Sequence, residues 1–215
     1  MSFLGKYCSN LTKDPIVPKM KLPFGLRFGG VIDISSSFFI FNSDKTVMKD
    51  PGTKLFVEAI SRYDRPDCNI YNLYVESEDG DDYVLQADFD SDFKLGAAKL
   101  FQQTYEILPQ SHEELQEWEG KLIGDEYIKL PNGIEYDREW EPERKGHLAG
   151  YRLDEKLYSK SFEEHNYLHR LMMLYGRTIA DTKEYLLVSS IRTPGKNFID
   201  VMVGIGLGPE EIKFN

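Results

Sequence analysis

Apolar and polar positions alternate with a period of two along much of this chain. Ile199, Val201, Val203, Ile205 and Leu207 make the cleanest run. Successive side chains of a strand point to opposite faces, so such a run predicts a strand with one buried face. The pattern also occurs twice as an aromatic hairpin. Leu73-Tyr74 is followed, after eight residues, by Tyr83-Val84-Leu85, and Leu174-Tyr175, after nine, by Tyr185-Leu186-Leu187. In the first hairpin Tyr71, Leu73 and Val75 share a face, as do Tyr83, Leu85, Ala87 and Phe89. Asp79-Gly80 supplies its turn, because glycine tolerates positive φ. The arms of the second are expected at 166–178 and 183–191.

The remaining elements follow from local signals. Strands are expected near 26–34, 37–42 and 54–62, with the run Phe38-Phe39-Ile40-Phe41 buried on both faces. Residues 93–108 fit a helix period and a strand face alike, and the repeat favours the strand. Whether 163–176 is helix or strand stays open. Ser111-His112-Glu113-Glu114 reads as a capping box that opens a helix ending at Gly120. Further strands are expected at 126–130, 134–140 and 150–158, the first two joined by the turn Pro131-Asn132-Gly133. Pro209-Glu210-Glu211 starts a last helical turn, with proline suited to the first helical position.

These elements predict a mainly β (α+β) fold. Two tandem antiparallel β modules, sandwich or barrel-like, occupy 22–110 and 121–215, and a short helix at 111–120 bridges them. Residues 1–21 form an N-terminal extension and Pro-rich linker. The halves correspond element by element, which points to an internal duplication packed as one unit.

Charge narrows the partners. The chain of 215 residues carries a net charge of −10. That argues against a nucleic-acid backbone, which is bound through Lys and Arg. It suits a basic protein partner, although solubility alone also accounts for it. Cys8 and Cys68 are too few for a disulfide framework and lack zinc-site spacing, so a reducing cytoplasm is the expected setting. No stretch has the length of a transmembrane helix. Phe3, Leu4, Tyr7 and Leu11, near Lys6 and Lys13, sketch an amphipathic foot at residues 3–11 for peripheral membrane contact; a terminus docked on its own domain is the plainer reading.

Few residues carry chemistry. Gly204, Gly206 and Gly208 imitate part of a dinucleotide fingerprint, but too little chain follows to build the βαβ unit. Asp88, Asp90 and Asp92 resemble the start of a calcium loop, yet Phe93 and Lys99 stand where that loop needs glycine and glutamate. His165 and His169 are the metal candidates: four apart, they share a helix face and can chelate, whereas on a strand they lie about 13 Å apart and cannot. Tyr136, Arg138 and Trp140 alternate on one strand face and are the partner-binding candidates; the competing account is a core pair with Arg138 over Trp140 as a cation–π partner. No cofactor is implied.

Leu22-Pro23-Phe24-Gly25-Leu26-Arg27, Tyr136-x-Arg138-x-Trp140, Met173-Leu174-Tyr175-x-Arg177 and Glu184-Tyr185-Leu186-Leu187 resemble the YjfK-like family of uncharacterised bacterial proteins. The resemblance implies no catalytic residue. It implies a cytoplasmic accessory role in envelope stress, beside a membrane-stress protein as partner. The reading that follows is a non-enzymatic protein-interaction module whose strand edges invite β-augmentation. The alternative is a small-ligand or metal-dependent enzyme, with a site between the two modules that includes His165 and His169.

Overall fold

The computed structural model describes residues 12–13, 22–64, 69–159, 164–193 and 195–215. Residues 3–11, both cysteines and most of the Pro-rich linker lie outside the described residues. Strand makes up 56% of the chain and helix 12%. In chain order the elements are β1 (Thr12–Lys13), β2 (Val31–Ile34), α1 (Ser37–Asn42), β3 (Lys54–Asp64), β4 (Asn69–Ser77), β5 (Asp82–Phe89), β6 (Leu95–Ile107), α2 (His112–Glu117) with a π turn at Trp118–Leu122, β7 (Tyr127–Lys129), β8 (Glu135–Arg138), β9 (Tyr151–Ser159), β10 (Glu164–Ile179), β11 (Thr182–Thr193), β12 (Lys196–Leu207) and, after a 3-10 turn, β13 (Ile212–Phe214). Among the described residues no helix is long and apolar enough to cross a membrane.

The hydrogen-bonded ladder runs β13-β2-β3-β4-β5-β6-β12-β11-β10-β8-β7. Because β9 pairs with both β10 and β3, eight of these strands close into an antiparallel barrel with further strands attached. Strands from both halves of the sequence belong to this one ladder. Both aromatic hairpins form, and in the same register. Leu73 pairs with Leu85 and Tyr74 with Val84 in β4–β5; Leu174 pairs with Leu187 and Tyr175 with Leu186 in β10–β11. The first turns through Gly80 at φ +80° and the second through Ala180 at φ +49°.

Contacts divide the chain into two compact units. The first comprises Met1–Gln102, Glu155–Tyr167 and Gly206–Asn215. Ile32, Leu55, Tyr71, Tyr83 and Phe89 are fully buried in it. Its β2 is flanked by β3 and by β13, where Ile212 pairs with Ile34 and Phe214 with Ile32. A carboxylate also sits in this core: Glu155 is fully buried, and its Oε1 accepts from Asn72 at 2.9 Å, from the Tyr74 hydroxyl at 2.8 Å and from Ser61. Buried charge is tolerated only with such partners.

The expected strand at 37–42 is instead the short helix α1. Only Phe39 and Asn42 are buried there, and Ile40 and Phe41 are 70% and 75% exposed. The Asn42 amide donates to the Phe38 carbonyl one turn back, at 3.0 Å, which favours a turn over a strand. A run of four apolar residues has no intrinsic period, so the local bond decides.

The second unit comprises Gln103–Asp154 and Leu168–Ile205. Ser111 caps α2 as expected, accepting from the Glu114 N–H at 3.1 Å; Glu114 reaches back to the Gln110 N–H at 2.7 Å. The helix does not stop at Gly120. It widens into the π turn, whose last bond runs from the Ile123 N–H to the Trp118 carbonyl at 2.8 Å. The chain then leaves through Gly124 at φ +109°. Beyond it, β7 and β8 form the hairpin predicted from Pro131-Asn132-Gly133, each arm shorter than expected.

Candidate functional site

β7 ends the ladder of the second unit, and the wall leading to it borders an apolar groove of about 600 Å³. Tyr105 and Ile107 of β6, Trp118 and Leu122 of the π turn, Tyr127 of β7 and Val201 of β12 line it. Leu122 is 37% and Tyr127 53% exposed, large apolar surfaces left in water. Glu106, Asp125 and Lys129 add charge to the lining, with Glu106 held by Lys196 at 2.8 Å.

Gly124 fixes this wall. Its N–H donates to the Tyr175 hydroxyl at 2.8 Å, and that hydroxyl donates to the Leu122 carbonyl at 3.2 Å. Its carbonyl accepts from Arg138 Nη1 and from the Leu148 N–H, both at 2.8 Å. A Cβ at Gly124 would lie 1.8 Å from the Leu148 carbonyl oxygen, so no other residue fits. The Arg138 guanidinium continues to the carbonyls of Gly146, at 2.7 Å, and Arg144. It thus ties the 140s loop and the 118–125 turn to β8. Burial raises the Tyr175 hydroxyl to about 12, against the lowering effect of the Gly124 N–H.

The partner-binding candidates take other roles. Tyr136 is fully buried and Arg138 is 4% exposed, so neither presents a groove to a partner. The Tyr136 hydroxyl donates to Glu184 at 2.7 Å, and Arg177 pairs with the same carboxylate at 2.7 Å while lying over the Tyr136 ring at 5.3 Å. Burial, followed by the Glu184 bond, pushes the Tyr136 hydroxyl above its ordinary range. The expected cation–π pair of Arg138 with Trp140 is therefore replaced by Arg177 with Tyr136, and Trp140 stacks edge-on against Tyr151 at 5.0 Å. The strand period correctly grouped Tyr136 with Arg138, but it cannot distinguish an inward face from an outward one.

His165 and His169 both fall in β10, which is a strand throughout. Four residues of strand span about 13 Å, too far for the pair to share one ion. The backbone places His165 opposite Thr12 of β1. His169 lines a polar cleft of about 330 Å³ with Arg152, Asp154, Ser190, Arg192 and Glu119. Its Nδ1 meets the Asp154 carboxylate at 2.6 Å, and Glu119 binds Ser190 at 2.7 Å and Arg192 Nε at 3.1 Å. Among the described residues no three His, Cys, Asp or Glu side chains converge as metal ligands.

Sequence reasoning missed Trp118, Leu122 and Tyr127. The available signal was the four-residue spacing of Trp118, on the predicted helix, and Leu122, just past its predicted end. No curated protein and no solved structure matches the chain. A family model described as a protein of unknown function (DUF2491) matches residues 6–213, and the chain belongs to that family.

Proposed function

We propose that this protein is a non-enzymatic protein-interaction module whose binding surface is the groove of the second unit. The observation that carries the reading is the apolar lining of about 600 Å³, with Leu122 and Tyr127 kept exposed on a wall braced from behind. Contiguous apolar surface of this kind, with charge beside it, is the mark of an interaction site. The net charge of −10 favours a basic partner and steers its approach. The resemblance to the YjfK-like family extends the proposal to a cytoplasmic accessory role in bacterial envelope stress, with a membrane-stress protein as the partner. The common register of the two aromatic hairpins supports an internal duplication as the origin of the chain.

A photo-crosslinking residue at Tyr127, compared with one at the exposed hairpin position Asp181, tests the reading in native cells. A defined heterologous adduct from position 127 alone, abolished by Leu122→Asp, is expected. Equal adducts from both positions, or none, would remove the groove from consideration.

The second reading is a small-ligand or metal-dependent enzyme, and the Asp154–His169 pair supports it. A carboxylate that orients an imidazole beside a polar cleft is a recurring arrangement for a general base. Metal content by elemental analysis, followed by retention of that metal in His169→Ala, separates a ligand role for His169 from an incidental one.

A further inference from the structure

Resting on the interaction reading, we infer that the groove takes an extended segment of a basic partner protein, bound as an added strand along β7. Pairing within the β7–β8 hairpin fixes which main-chain groups are free. Arg138 N–H donates to the Glu126 carbonyl and Leu130 N–H to the Ile134 carbonyl, both at 2.8 Å, while Ile128 stands opposite Tyr136. The Glu126 carbonyl and the main-chain groups of Ile128 and Leu130 therefore turn toward β8, the Glu126 N–H being taken by the Asp125 carboxylate at 2.8 Å. Tyr127 and Lys129, opposite Asp137 and Glu135, occupy the non-hydrogen-bonded positions and turn theirs outward. The ladder ends at β7, so this row of donors and acceptors faces no further strand among the described residues.

The same edge borders the apolar groove. A strand added about 4.8 Å outside β7 would meet Tyr127 and Lys129 with its main chain. Its alternate side chains would fall among Trp118, Leu122 and Ile107. Those positions select apolar residues. Asp125 in the lining and the net charge of −10 select lysine or arginine between them. A helix laid in the groove would use the apolar lining and leave the β7 amides unmet.

Selection of a random decapeptide display library on the intact protein tests the inference. Enriched peptides should carry apolar residues at alternate positions with intervening Lys or Arg, and should lack internal proline. Lys129→Pro removes only an outward N–H, which edge strands tolerate. It should weaken those peptides roughly tenfold or more, whereas Lys129→Ala, which keeps the N–H and removes a positive charge, should not weaken them. N-methylation of alternate peptide bonds should weaken them equally, and the Tyr127 and Lys129 amides of the unaltered protein should gain exchange protection on binding. These two measurements stand even if Lys129→Pro does not fold. Peptides that ignore Lys129→Pro and N-methylation but are lost on Leu122→Asp would overturn strand addition and leave the interaction groove intact. Peptides indifferent to Leu122→Asp, or no enrichment at all, would overturn the groove and the strand together. A dimer of the protein alone that Lys129→Pro dissolves would put a second copy in place of the partner and overturn the inference.

Discussion

Gly124 stands where a side chain would meet the Leu148 carbonyl, and its φ of +109° lies in a region that L residues rarely adopt. Gly124→Ala combines backbone strain with overpacking and should cost about 3 kcal/mol in urea unfolding. Tyr175→Phe leaves the buried Gly124 N–H without its acceptor, at a cost of about 2 kcal/mol. Ionisation of the same hydroxyl destabilises by another route: it charges a buried oxygen and removes the proton given to the Leu122 carbonyl. A Tyr175 hydroxyl raised to about 12 when folded, against an ordinary value near 10 when unfolded, binds its proton more tightly in the native state. Its contribution is fully present below about pH 10 and is lost as pH rises toward 12. Unfolding midpoints measured from pH 8 upward should fall over that window, and the fall should shrink in Tyr175→Phe. None of this was legible in the sequence. Gly124 reads as an ordinary loop glycine, and the period of β10 marks Tyr175 as core without revealing what its hydroxyl holds.

At the scale of elements, what the sequence revealed depended on whether the deciding bonds are local. The two aromatic hairpins, the Ser111 cap and the Pro131-Asn132-Gly133 turn form as expected because each is set by neighbours in the chain. The strand at 93–108 formed despite its helical period, because β5 offers it a partner in register from Tyr83 to Ala87, with a shift before Phe89. α1 went the other way, where the bond from Asn42 to Phe38 closes a helical turn. With β10 a strand, His165 and His169 do not share one ion, because separation along the chain became separation in space. The β10–β11 turn leaves room for improvement. Ile179 pairs with Thr182, so Ala180 and Asp181 alone make the turn, with Ala180 at a positive φ that two-residue turns usually assign to glycine. Ala180→Gly should raise stability by about 1 kcal/mol, read from the unfolding midpoint.

At the scale of the whole molecule, distant segments complete what local ones begin. Neither the pairing of β13 with β2 nor the return of β9 to β3 could be read from the sequence, because alternation identifies a strand and is silent about its neighbour. Deleting residues 212–215 withdraws Ile212 from the core and Phe214 from Phe89, 6.1 Å away, and bares the edge of β2. The deletion should cost about 3 kcal/mol and promote self-association, measurable by urea unfolding and by light scattering. The division of the chain adds a constraint on synthesis. The first unit draws on three separate stretches, the last of them Gly206–Asn215. At about 5–20 residues per second, a ribosome needs roughly 7–30 seconds to pass from the end of β3 to that last stretch. Through that interval the nascent chain carries β2 without its last neighbour β13, an open edge of the kind chaperones recognise. Production of this protein should therefore respond to translation speed and chaperone supply more than to any change in its groove.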